Sequence, residues 1–192
     1  TRQMFAPYFL YAELRTVFIC LRYVEGDKAQ KAGEVLGVSL LSEEAKDVLR
    51  AGAIADALAE LERLFGSLSP GFIGLSAAYE DKGLREVERL LTYQYLSFVQ
   101  ELTLHPVVRA FFSRIIDSRN ILALYKALRA GTKETGELID GGTVPVQRLA
   151  DLAEKEDIFE VAGLIRQAAG VVIASPDPTQ VEVALYRGST KF

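Results

Sequence analysis

The run from Asp117 to Gly142, DSRNILALYKALRAGTKETGELIDGG, restricts the fold more than any other part of the chain. Ile121, Leu124, Tyr125 and Leu128 recur at i, i+3, i+4 and i+7, the spacing that lines one face of a helix. Asp117 stands where an N-cap or first-turn carboxylate would meet free backbone N–H groups and the positive end of the helix dipole. Lys126 and Arg129 fall at the opposite, electronegative end. Gly131 supplies a stop, and a polar run then leads to Gly141 and Gly142, where the backbone can take positive φ. Thr143 or Pro145 opens a further helical pattern.

The same period recurs along the chain. Leu10, Leu14, Val17, Leu21 and Val24 predict a long buried helix over residues 8–24, and residues 27–38 read as a loop or short helix. Ser42 with Glu43 and Glu44 begins a helix to about Arg50, Gly52 breaks it, and Ile54, Leu58, Leu61 and Phe65 mark another. The segment GSLSPGFIGLS, residues 66–76, is the strongest punctuation in the first half and predicts a boundary between structural units. Leu84, Val87, Leu91, Tyr95, Phe98 and Leu102 form a stripe that ends at His105-Pro106, and apolar spacing resumes from Val107 into the Asp117 segment. Short helices are expected around Val146, Leu149 and Leu152 and around Ile158, Val161 and Leu164. VVIA and VEVALY in the tail carry β-branched residues that also fit strand.

Composition removes several classes of function. With 192 residues, 49% of them apolar, one domain or two small subdomains can bury a core. A net charge of −4 and a pI near 5.2 leave no basic face for nucleic acid. The mean hydropathy of +0.15 fits a well-filled helical core or a surface covered by partners. Cys20, the single cysteine, has no partner for an internal disulfide and sits in the apolar run VFICL. No stretch reaches the roughly 18 uncharged apolar residues of a membrane span, and Glu13 and Arg15 interrupt any signal-peptide core.

Chemistry finds little to work with. His105 is the only histidine and adjoins a helix break, where a capping or surface imidazole is the plain reading and a zinc ligand lacks companions. Neither GxxxxGK[ST] nor GxGxxG occurs, and the adjacent pairs Glu43/Glu44 and Glu80/Asp81 diverge on a helix. No cofactor and no metal is expected, and Asp117, Asn120 and Arg129 read first as capping, loop-bonding and charge-pairing groups. The sharper reading is that they line a surface receiving another subunit.

Taken together, Val87, Glu88, Tyr93 and Tyr95, then Ile116, Asp117, Asn120, Ile121 and Arg129, then Gly141 and Gly142 resemble the C-subunit family of V-type ATPases and ATP synthases, to which the d-type subunits of the eukaryotic V-ATPase also belong. The likeness covers about residues 84–160, including VERLLTYQYL and LADLAEKED. It implies an all-α fold of pseudo-repeated helical units, three of them around a funnel. Residues 1–75 would be the latter part of one unit, 76–178 a complete unit, and 179–192 the start of a further one. Val181, Glu182 and Leu185 echo Val87, Glu88 and Leu91, and a weaker echo sets Glu13, Arg15, Thr16, Val17, Arg22 and Gly37 against Asp117, Arg119, Asn120, Ile121, Lys126 and Gly141.

The implied function is mechanical. The protein would be a non-catalytic rotor socket at the cytoplasmic face of the membrane, peripheral to it, joining the central-shaft subunits to the proteolipid ring during proton or sodium transport. Glu88, Tyr95, Asp117, Asn120, Arg129, Gly141 and Gly142 would be structural or interface residues. Met4 is the only methionine, and with the resemblance this makes a fragment the expectation. Two rivals stay open: a helical protein–protein adaptor unrelated to the ATPase, and a small helical enzyme with a pocket at His105.

Overall fold

Apolar stripes at helical spacing become helices throughout. In the computed structural model, which describes residues 2–50, 52–170 and 177–189, these are α1 (Arg2–Glu25), α2 (Ala29–Leu36), α3 (Glu43–Arg50), α4 (Ile54–Gly66), α5 (Leu75–Lys82), α6 (Leu84–Glu101), α7 (Pro106–Arg129), α8 (Val146–Lys155), α9 (Ile158–Ala169) and α10 (Pro178–Ser189). No strand occurs among the described residues, so the protein is all-α. VEVALY belongs to α10, while VVIA lies outside the described residues. No helix among the described residues is long and apolar enough to cross a membrane.

The chain divides into two compact units, Thr1–Leu102 and Thr103–Phe192. This differs from the sequence-based division at 75/76: residues 66–76 are a connection inside the first unit. The physical reason is that Phe72 is fully buried, stacked on Phe65 of α4 and set edge-on to Phe98 of α6, with ring centroids 5.3 and 5.7 Å apart. A glycine- and proline-rich segment therefore closes the core it was expected to separate.

In the first unit α1 packs on α2, α3, α4 and α6. Leu14, Val17, Leu21 and Val24 of α1 are buried with Leu58 and Leu61 of α4 and Val87, Leu91 and Tyr95 of α6. Each such side chain contributes about 1.5–3 kcal/mol of burial. Tyr95 is wholly enclosed and its hydroxyl donates to the Pro7 carbonyl at 2.6 Å, which satisfies the one polar atom the ring brings inside.

In the second unit α7 packs on α8, α9 and α10. Its core joins Ile121, Leu124 and Tyr125 to Leu149 and Leu152 of α8, Val161, Leu164 and Ile165 of α9, and Val181 and Leu185 of α10. Pro106 opens α7 at a position where its missing N–H costs nothing, and His105 Nδ1 accepts from the Val107 N–H at 3.3 Å as the N-cap.

Each unit opens on a long helix, and the two end alike. The Lys28 N–H donates to the Tyr23 carbonyl at 2.7 Å, and the Thr132 N–H to the Ala127 carbonyl at 3.0 Å. The residue before each donor is left-handed, Asp27 at φ 53° and Gly131 at φ 69°. Both ends are thus closed by the same six-to-one bond.

Candidate functional site

Ser113, Asp117 and Asn120 fall at i, i+4 and i+7 of α7 and form a polar stripe on one side of it. Asp117 and Asn120 are 6% and 2% exposed, so their polar atoms need partners from the protein. The sequence placed Asp117 at a helix start, and the structure corrects this. Asp117 lies in the middle of α7, because the apolar spacing from Val107 onward continues one helix through it.

The partners come from residues 132–144. Among the described residues, 133–144 make no backbone–backbone hydrogen bonds, so this segment relies on side chains. Asn120 Nδ2 donates to the Ile139 carbonyl at 2.8 Å while its Oδ1 accepts from the Ile139 N–H at 3.0 Å. Asp117 Oδ2 accepts from the Thr143 N–H at 3.0 Å and from the Thr143 hydroxyl, and its Oδ1 accepts from the Val144 N–H at 2.9 Å. The Ser113 hydroxyl donates to the Gly141 carbonyl at 2.8 Å. An extended strap is thereby held against α7 at three points, ending just before α8.

The two glycines serve different needs. Gly141 takes φ 92°, where a side chain is strained. Gly142 does not take positive φ, contrary to the sequence expectation; a Cβ there would overlap Asp117 Oδ1 and press on Ile116. Its small size is what lets the carboxylate reach the N–H groups of 143 and 144.

The first unit carries a counterpart. Glu13 Oε2 accepts from the Ser39 hydroxyl at 2.6 Å and Oε1 from the Leu40 N–H at 3.0 Å. One constant offset in numbering carries Glu13 to Asp117, Ser39 to Thr143 and Leu40 to Val144. Asn120 has no equivalent bond there, since the same stretch of the first unit is α2, whose backbone satisfies itself. A second correspondence joins the long helices to later ones: Arg22 of α1 pairs with Glu88 of α6 at 2.6 Å, and Lys126 of α7 with Glu182 of α10 at 3.2 Å. The Glu88 contact holds the Arg22 guanidinium above its usual pKa. Exposed pairs of this kind contribute about 0–1 kcal/mol, so they fix register more than they stabilise.

The remaining sequence candidates disperse. Arg129 is exposed in the last turn of α7 and makes no ion pair among the described residues, unlike the carboxylate pairing expected of it. Tyr95 and Glu88 belong to the first unit, as core ring and register pair. Cys20 is buried, and that burial, with Glu13 adding to it, pushes its thiol up to about 11, away from nucleophile chemistry. No cluster of three or more metal-ligating side chains occurs among the described residues. Sequence reasoning missed Ser39, Ser113 and Thr143; Glu13 against Asp117 was legible as an echo, and extending the same offset to a hydroxyl residue in each loop would have found the first and last.

Beside the Asp117–Thr143 contact lies a cleft of about 300 Å3, whose walls include Arg114, Asp117, Ile121, Thr143, Val144 and Gln167. Both oxygens of its one carboxylate are already occupied by strap donors. Set beside family models, curated proteins and solved structures, the chain matches none.

Proposed function

We propose that this chain is a repeated helical spacer that works through shape and contact surface, and that it serves as the socket between the shaft and the membrane ring of a V/A-type rotary ATPase or ATP synthase. The observation that carries this reading is the duplication of detail: long opening helices with like endings, a mid-helix carboxylate closing a loop, and a basic residue in the last turns paired to a later helix. A funnel made of similar units asks for repetition of this kind. In this reading the funnel contains further copies of the unit, and the protein performs no bond chemistry of its own.

Its partners would be the central-shaft subunits and the proteolipid ring, met at the cytoplasmic face of the membrane. Surface character supports a partnered protein. Tyr8, Phe9, Val38, Leu40 and Ile73 are 40, 46, 88, 73 and 63% exposed, apolar side chains of the first unit that a partner would cover. The same display also favours the rival reading of an unrelated helical adaptor. Mixing the purified chain with purified shaft subunits and detergent-solubilised ring, followed by gel filtration, separates the two. Co-elution with both components supports the socket. A folded chain that elutes free of both overturns it and leaves the adaptor.

A further inference from the structure

The two units keep the same carboxylate-held turn but furnish it differently. In the first unit the N–H groups of Gly37, Val38, Ser39, Leu40 and Leu41 all donate, to the Gly33, Val35 and Leu36 carbonyls, to Glu13 and to the Ser39 hydroxyl in turn. This fully bonded turn holds Val38 and Leu40 outward, both exposed. Phe9 and Leu10, also exposed, lie one helical turn before Glu13 on α1. The offset that joins Glu13 to Asp117 carries Phe9, Leu10, Val38 and Leu40 to Ser113, Arg114, Gly142 and Val144. In the second unit Ser113 reaches the Gly141 carbonyl, and Arg114, Thr143 and Val144 wall one cleft, so the corresponding positions in the first unit are neighbours too. Where the second unit has a hydroxyl, a guanidinium, a glycine and a valine packed on its core, the first therefore presents four bulky apolar side chains side by side.

We propose that this patch docks a basic protein partner, one whose apolar pocket is bordered by lysine and arginine. Charge decides the partner's character. The net charge of −4 lies in the first unit, with 15 carboxylates against 11 cations, while the second unit has 11 of each. The same offset carries Arg63 to Gln167, which lines the cleft with Val144, and Arg63 is shared between Glu44 and Glu60 at 2.6 and 2.7 Å. The border of the patch is thus acidic, which opposes a second copy of the same unit and an anionic lipid surface. Area opposes the second copy as well. The four side chains present on the order of 400 Å2 of apolar surface, about half of what each partner buries in a standard interface. A turn already bonded throughout docks without the ordering cost that a loose loop would add. The proposal rests on the rotary-ATPase reading, in which the patch is the first unit's contact with the shaft or the ring.

The test titrates purified shaft subunits, and separately the detergent-solubilised ring, into the wild-type chain, the double variant Val38→Ser/Leu40→Ser, and Phe159→Ser, at low and high salt. Phe159 is an exposed apolar residue of the second unit and serves as the control. The double variant should bind one of the two components about tenfold or more weakly, F159S should bind as the wild type does, and wild-type binding should weaken as salt rises. Wild-type affinity for both components in the double variant overturns the patch and leaves the rotary reading standing, whereas a wild-type chain that binds neither overturns both. Equal weakening in F159S overturns the patch, because any exposed apolar group would then serve. Binding that salt does not weaken overturns the basic partner. Self-association of the wild type in sedimentation, lost in the double variant, overturns it in favour of a second copy. Should the double variant lose its helical circular dichroism, V38S alone applies the same criteria.

Discussion

Two residues show how one atom decides a position. Gly142→Ala forces the Asp117 carboxylate and Ile116 to move, and it should lower unfolding free energy by about 1–3 kcal/mol in urea. Gly163→Ala, on an open face of α9 with nothing near its Cβ, should raise it by about 1 kcal/mol, since alanine is the better helix former. Cys20 makes a prediction about pH. Burial raises its folded pKa to about 11, so the thiol's contribution is fully present below its unfolded pKa near 9 and is lost as pH rises through 11. Tyr95, raised by its own burial, acts in the same direction. Denaturant titrations should therefore show stability falling across this alkaline window, with a smaller fall in Cys20→Ala. A thiol reagent at pH 8 should modify Cys20 only as the protein unfolds.

At the scale of elements, the like helix ends make a paired experiment available. The left-handed positions after the long helices hold Asp27 in one unit and Gly131 in the other; those after α3 and α8 hold Gly52 and Glu156, at φ 81° and 55°. A non-glycine residue there costs about 1 kcal/mol. Asp27→Gly and Glu156→Gly should each raise the melting temperature, and Gly131→Ala and Gly52→Ala should each lower it, all readable by circular dichroism. Helix periods, the stops at Gly131 and Gly52 and the start at Pro106 were legible in the sequence because each is a local property of backbone and side-chain spacing. The standing of Asp117 was not. A carboxylate within a helical pattern reads the same whether it caps its own helix or a loop folded back onto it.

For the whole molecule, the division at Leu102–Thr103 has a direct consequence. The link between α6 and α7 is short, extended at Leu102 and exposed at Thr103. Limited proteolysis there should release two fragments that each retain helical circular dichroism, and early cleavage within 66–76 would contradict the placing of Phe72 in a closed core. The echo between the halves was visible as scattered pairs such as Glu13 with Asp117 and Arg22 with Lys126. Its meaning came from finding that each carboxylate takes a hydroxyl and the following backbone N–H of its loop, and that each basic residue pairs with a later helix.

By itself the sequence determined that the chain is helical, where most helices begin and end, and that the mid-chain apolar stripes are buried, because a 3.6-residue period leaves no other economical way to hide those side chains. Tertiary structure alone decided which unit each helix joins, that residues 132–144 form a strap, and that Gly142 is needed for space. These depend on groups far apart in the chain meeting within hydrogen-bonding distance, and a one-dimensional pattern carries no record of such meetings.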